Sequence, residues 1–238
     1  MSEETIDRFE LFAAILLGLA AIATALASFE AGLWDGKMIE GYGKSNKVAT
    51  AAASEQSRAI VEMSKDSSVD IQAMRLILEA DDNPATQKRS YEIATYLYTK
   101  QMSDAGYKSL GLPPEAKTTL QDDPATPEEE DRVVGLQEEI LEKAMEKDLA
   151  DDENYRTEML AKSRTASDES DVAFKAGQDA NEFGDGFEFA NVIFAISLFF
   201  SGISLVFKTN IRWAILCIGG VLFISGAIYM ITLPWTFS

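Results

Sequence analysis

Apolar and polar positions are segregated along this chain on two length scales. On the longer scale, three greasy runs bracket a polar stretch. Phe9 to Trp34 carries only Glu10 and Glu30 as charges, Asn191 to Phe207 carries none, and Trp213 to Ser238 carries none. At 1.5 Å of rise per residue, each is long enough to cross most or all of a hydrocarbon layer about 30 Å thick. The pattern predicts an all-α integral membrane protein with three transmembrane helices, at 9–34, 187–207 and 213–235. A short acidic tail, 1–8, precedes the first, and a basic turn, 208–212, joins the last two. Residues 35–186 form a soluble acidic helical domain, read as a long, coiled-coil-like helical hairpin.

On the shorter scale, Ala14, Gly18, Ala21, Ala25, Ser28 and Gly32 repeat with 4-3 spacing. This marks one helical seam of small residues, the kind that lets helix backbones approach closely in lipid. The same register continues through Ile39, Tyr42, Asn46, Ala49, Ala53, Gln56, Ile60, Met63, Ser67, Asp70, Met74 and Ile77, a 3.5-residue period that implies left-handed packing. A helix is therefore expected over about 37–79, loosened near Gly36, Gly41 and Gly43 because glycine disfavours helix interiors by roughly 1 kcal/mol. Asn83 and Pro84 should open a second helix, 84–105, with Tyr91, Ala94, Tyr98 and Met102 on one face. The prolines of 106–125 predict a loop. Thr126-Pro127-Glu128-Glu129 has the form of a capping box with proline in the first turn. It should start a helix over 127–183, with Val133, Leu136, Ile140 and Ala144 in one stripe. Met159, Ala166, Ala173, Ala180 and Phe187 recur every seven residues beyond it, and Gly177, Gly184 and Gly186 offer bends. On the third span Gly219 and Gly226 mark a second packing seam, while Pro234, so near the end of that span, is expected to matter little.

Charge and rare residues narrow the chemistry. Of 39 acidic and 21 basic residues, seven and three lie outside 36–186, so the insert holds 32 against 18, a net charge of −14. Such a surface repels nucleic acid and anionic headgroups and attracts cations or basic partners. The absence of histidine removes His-based triads, His general bases and the commonest metal ligand. Cys217 is the only cysteine, which rules out an intrachain disulfide or a zinc cluster. Asp81 to Glu92 has the length of a calcium loop, but it lacks glycine at the sixth position and places Pro84 and Ala85 where ligands belong. The clusters Asp148/Asp151/Asp152/Glu153 and Asp168/Glu169/Asp171 read as solvated helix faces rather than cation sites. No catalytic residue, metal ligand or cofactor-binding motif emerges, and no cofactor is expected.

Inside the apolar runs the polar side chains are few. Ser197, Ser201 and Ser204 follow 4-3 spacing, Asn191 lies just within the second run, and Glu30 stands a turn before Trp34. The hydroxyls either line a water path or bond a neighbouring helix. Glu30 reads as snorkelling to the interface, yet it is the first functional candidate, as any intramembrane acid is. Trp34, Trp213 and Trp235 each stand at a span end, as interface anchors do.

Lys208 and Arg212 in the short turn, with four acids and no base in Asp179–Glu188, place the N-terminus in the cytoplasm and residues 35–186 outside it. Lys37, Lys44 and Lys47 pull the other way. The net-acidic leading residues predict an uncleaved anchor rather than a signal peptide.

The order of parts resembles a family of bacterial three-span membrane proteins of unknown function, with a helical insert between the first span and a closing pair of spans. The likeness rests on Ala20–Trp34, the Ala/Ser-rich stretch 49–59, and Phe187–Trp235 with Lys208 and Arg212. It implies a prokaryotic inner or plasma membrane and supplies no catalytic residues. The sequence thus points to a non-enzymatic, oligomeric membrane protein. Its partners would be lipid, further copies of itself and a protein bound by the acidic domain, with no nucleic acid. A cation-conducting homo-oligomeric channel and an accessory subunit of a larger membrane complex are the alternatives.

Overall fold

The computed structural model of the chain describes residues 8–120 and 126–236. The acidic tail 1–7 and part of the expected loop, 121–125, lie outside the described residues. The fold is all-helical, with no strand among the described residues. In chain order the helices are α1 (Arg8–Asp82), α2 (Gln87–Tyr96), α3 (Asp104–Ser109), α4 (Ala116–Thr119), α5 (Pro127–Glu146), α6 (Glu153–Ser204) and α7 (Ile211–Thr232). A π-helical turn, Leu97–Gln101, follows α2, and a 3₁₀ turn, Leu149–Asp151, precedes α6. Helices α1, α6 and α7 are long and apolar enough to cross a membrane.

The chain divides into two compact units: residues up to Lys47 with those from Glu169 onward, and Val48–Asp168. The boundary expected at 35 and 186 therefore moves inward along both long helices, because 35–47 and 169–186 pack on each other. There, Ser170 Oγ donates to the Ser45 carbonyl at 3.0 Å, Lys44 pairs with Glu169 at 3.2 Å, and the rings of Tyr42 and Phe174 meet at 5.3 Å.

The apolar unit is built from α1, the C-terminal half of α6, and α7. Its ends are marked by aromatic contacts. At one end Trp213 meets Phe9 edge-on at 5.0 Å, with the Arg212 guanidinium over the same Phe9 ring. At the other, Trp34 packs on Phe183, Trp235 on Phe187, and the Lys37 ammonium sits over Trp34. Helices α1 and α7 thus run in the same direction, with α6 antiparallel between their ends. Between those ends the 22 residues of α7 rise about 33 Å.

The second unit, 48–168, has a conventional core. Val69, Ala73 and Ile77 of α1 pack with Ala94 and Tyr98, with Tyr107, Leu110 and Leu112, and with Leu136, Ile140 and Ala144 of α5. The capping box opens α5: Thr126 Oγ1 accepts from the Glu129 N–H, and the Glu129 carboxylate accepts from the Thr126 N–H, both at 3.2 Å.

Several expected boundaries change. Asn83 does not cap a helix; its Oδ1 accepts from the Ala85 N–H at 3.2 Å, and α2 starts only at Gln87. The helix expected to reach 105 ends at Gln101, where Met102 turns extended. Part of the expected loop is helical, because Ser103 caps α3 and α4 fits after Pro113 and Pro114. The helix expected over 127–183 breaks at Lys147–Asp152. Asp152 accepts from the N–H groups of Asn154 and Tyr155 and so restarts the chain as α6, a cap no glycine or proline announces. Gly36, Gly41 and Gly43 do not interrupt α1. A Cβ on Gly41 would lie 2.7 Å from the Gly177 backbone, so these two glycines mark a close helix crossing rather than a bend.

From Ala14 to Ile60 the expected heptad of α1 is displaced by one residue, whereas Asp70 and Ile77 bury as expected. The positions that bury are Phe9, Ala13, Ala20, Ala23, Ala27, Glu30, Ser45, Ala52, Ala59, Asp66, Asp70, Ala73, Ile77 and Ala80. Ile39, Asn46, Ala49, Ala53, Gln56 and Ile60 are exposed. The buried line keeps the 3-4 rhythm but passes through four polar side chains, which a search for apolar positions steps over.

Candidate functional site

Two sets of buried polar residues, one in each unit, are the places where chemistry could reside. In the apolar unit the centre is Glu30, which has 0% exposure rather than the snorkelling position expected of it. Its partner comes from beyond α7. That helix ends at Thr232, and Leu233 is extended (φ −77°, ψ 149°), as a residue preceding proline must be. The tail then crosses back to α1. Thr236 donates to the Glu30 carboxylate through its N–H at 3.1 Å and its hydroxyl at 3.3 Å, and Trp34 Nε1 donates to the Pro234 carbonyl at 3.1 Å. Pro234, expected to matter little, therefore directs the tail into its clasp. The buried acid thus takes its hydrogen bonds from the chain's own donors.

The serine stripe is enclosed. Ser197, Ser201 and Ser204 are each fully buried. Ser197 Oγ donates across to the Gly219 carbonyl at 2.8 Å, while Ser201 and Ser204 donate back along α6. Gly219 permits that contact, since a Cβ there would come within 2.8 Å of Ser201 Oγ and 3.2 Å of the Ser197 carbonyl. At Gly226 a Cβ would meet Phe194 at 2.9 Å. Asn191 Nδ2 donates to Ser28 Oγ at 3.0 Å. Of the α1 seam named from sequence, Ala14, Gly18, Ala21, Ala25, Ser28 and Gly32 all face outward, and neither Gly18 nor Gly32 has a neighbour within 4 Å of where a Cβ would stand. The inward line is instead Ala13, Ala20, Ala23, Ala27 and Glu30.

The second unit holds a polar centre that sequence reading did not single out. Asp66, also at 0% exposure, accepts from the Ser103 N–H at 2.8 Å, from the Ser103 hydroxyl, and from the Tyr155 hydroxyl at 2.7 Å. Ser103 caps α3 and accepts from the Gly106 N–H at 3.0 Å. Gly106 must lack a side chain, because a Cβ would fall 2.7 Å from Asp66 Oδ2. Burial and then the bond to Asp66 push the Tyr155 hydroxyl far above its ordinary pKa, so it remains a donor. Nearby, Tyr98 donates to Asp70 at 2.9 Å. Burial dominates both groups there, raising Asp70 despite the Tyr98 bond and raising Tyr98 with help from the Asp70 charge. Burial likewise pushes Tyr107 up to about 12.

Of the two acidic clusters, Asp148, Asp152 and Glu169 are engaged in caps and ion pairs, while Asp151, Glu153, Asp168 and Asp171 are exposed. Asp152 accepts from Ser109 Oγ at 2.5 Å and Lys147 Nζ at 2.6 Å besides capping α6. Lys147, then Ser109 and the Tyr155 N–H, hold its carboxyl well below the ordinary range. Asp148 caps the 3₁₀ turn through the Ala150 N–H at 2.8 Å. Among the described residues no group of acidic or cysteine side chains is arranged to hold a metal ion. Both buried carboxylates accept hydrogen bonds from donors of the chain itself, which fix their positions. Comparison with known families, curated proteins and solved structures finds no match.

Proposed function

We propose that this chain is a non-enzymatic integral membrane protein that assembles into homo-oligomers through its first span and carries residues 48–168 in water as a docking unit for a protein partner. The observation that carries the reading is the outward stripe of Ala14, Gly18, Ala21, Ala25, Ser28 and Gly32 on α1. The opposite face of the same helix already packs within the chain, so the stripe, Ser28 with its bond from Asn191 apart, is left for a second helix, and small residues are what close van der Waals packing in lipid requires. The basic turn Lys208–Arg212 faces the cytoplasm and the acidic unit lies outside it. The docking role fits an accessory subunit of a larger complex. The channel alternative draws less support, because the serine hydroxyls are committed to backbone carbonyls inside one chain.

The test is the mass of detergent-solubilised protein. Wild type should run as an oligomer, and Gly18→Leu with Ala25→Leu should run as a monomer. A monomeric wild type, or an oligomer indifferent to both changes, ends the assembly reading. Protease added to sealed vesicles should remove 48–168 only from the extracytoplasmic side.

A further inference from the structure

The second unit leaves a groove open between α1 and the α5–α6 junction. Its volume is about 520 Å³, and its α1 wall runs from Asp70 to Asp82, three helical turns or about 18 Å. The floor is apolar: Ile71, Met74 and Leu78 from α1, with Met145 opposite. Ile71, Leu78 and Met145 are 66%, 58% and 52% exposed. The strip is apolar and exposed, and methionines adapt their shape to what they meet. The rim carries four acids, Asp70, Glu79, Asp82 and Asp148, against two cations, Arg75 and Lys147. Arg75 pairs with Glu79 at 2.7 Å, Lys147 pairs with Asp152 at 2.6 Å and Asp70 is buried with a bond from Tyr98, which leaves the exposed Asp82 and Asp148 for a partner.

We infer that this groove binds a basic amphipathic helix of about three turns from a partner protein, apolar face down and lysines or arginines against the rim. Residues 71, 74 and 78 line one face of α1, against which the apolar face of a second helix can lie. A second copy of this chain is the wrong occupant, since an insert of net charge −14 sets acid against acid. The inference rests on the docking role proposed above and names the partner's chemistry.

The experiment uses the full chain in lipid nanodiscs and a synthetic Leu/Lys peptide of roughly 14 residues, about four turns, with a benzophenone on its apolar face. A scrambled isomer of the same composition serves as control. Irradiation should place adducts on Met74 or Met145 with at least tenfold higher yield for the amphipathic peptide. The double variant Ile71→Ser, Leu78→Ser, at exposed positions, should bring that ratio to about one. Glu79→Gln with Asp82→Asn should weaken capture and flatten its salt dependence. Equal yields for the two peptides, adducts elsewhere, or a ratio unmoved by the double variant would overturn the inference. So would a loss of oligomers in Ile71→Ser, Leu78→Ser, which would make a second copy the occupant. Detergent mass is read separately, so an oligomer with an empty groove removes only the groove assignment.

Discussion

The two units of this chain differ in how many large apolar side chains they leave outside. In the apolar unit Ala13, Ala20, Ala23, Ala27, Ser197, Ser201, Gly219 and Gly226 pack between helices beside Phe9, Phe187 and Phe194, while Leu11, Phe12, Ile22, Phe29, Val192, Phe199 and Ile228 point outward. In 48–168 the large side chains Ile77, Tyr98, Tyr107, Leu136, Ile140 and Leu149 are inside. Water rewards the burial of large apolar groups by about 25 cal/mol per Å². Hydrocarbon offers no such reward, so helices there associate by close fit and internal hydrogen bonds. Both patterns in one chain are what the membrane reading proposed above requires.

The contrast is easiest to test because the reporters are separated. All three tryptophans lie in the apolar unit, whereas five of the seven tyrosines, Tyr98, Tyr107 and Tyr155 among them, lie in the other. Tryptophan fluorescence therefore follows the apolar unit alone, and near-ultraviolet tyrosine dichroism of a Tyr42→Phe, Tyr229→Phe background follows 48–168. The largest effect expected is from Asp66→Ala, which strands the Ser103 and Tyr155 donors in the core. It should destabilise 48–168 by about 3–5 kcal/mol in urea, visible in the tyrosine signal and absent from the tryptophan signal. Next comes Ile22→Asp on the outward face of α1. In lipid it should disfavour insertion by about 2.5–3.5 kcal/mol, measured by glycosylation mapping, and an unchanged insertion fraction would break the two-solvent comparison. Gly219→Val should force α6 and α7 apart and lower the detergent stability of the apolar unit by about 1–3 kcal/mol. Its neighbour Gly220, with nothing within 4 Å, should accept alanine within about 0.5 kcal/mol.

The smallest effects concern pH. Asp152 has a folded pKa held well below the ordinary value of about 3.9, so its contribution is full above that value and is lost as pH falls on through the lower folded pKa. Asp152→Asn should weaken 48–168 at neutral pH, and the difference should shrink only in acid well below that ordinary value. Asp70 has the opposite sign: its folded pKa is raised by burial, so the native state prefers the protonated form and loses stability as pH climbs above the ordinary carboxylate value. Asp70→Asn should flatten that loss. The tyrosine signal against pH checks both.

Much of the helical layout is legible in the residues, because the signals are local. Runs without charge declare helices long enough to span, and Thr126-Pro127 with Glu129 declares its cap. The buried register of α1 was missed for a physical reason. So many residues between Phe9 and Gly32 are small that several registers show a small-residue stripe, and apolarity cannot choose among them. Glu30 could have chosen. An acid inside an apolar helix is driven to the interior, and counting back from it in threes and fours gives Ala27, Ala23, Ala20, Ala13 and Phe9. The same holds at Asp66 and Asp70, where the residues that fix the face are those a hydrophobic search discards. The break at Lys147–Asp152 and the clasp at Thr236 could not be foreseen, since both depend on partners far along the chain: Ser109 in one case, Glu30 in the other.

Gly41 and Gly177 set a different kind of limit. Where they cross, main chain lies against main chain and Tyr42 roofs the gap, so the separation of the two long helices at that level is dictated by peptide geometry and no neighbouring side chain can tune it. A methyl group added at either glycine acts as a wedge, and a mutational scan of this well-solvated stretch should show two abrupt cliffs in otherwise tolerant ground.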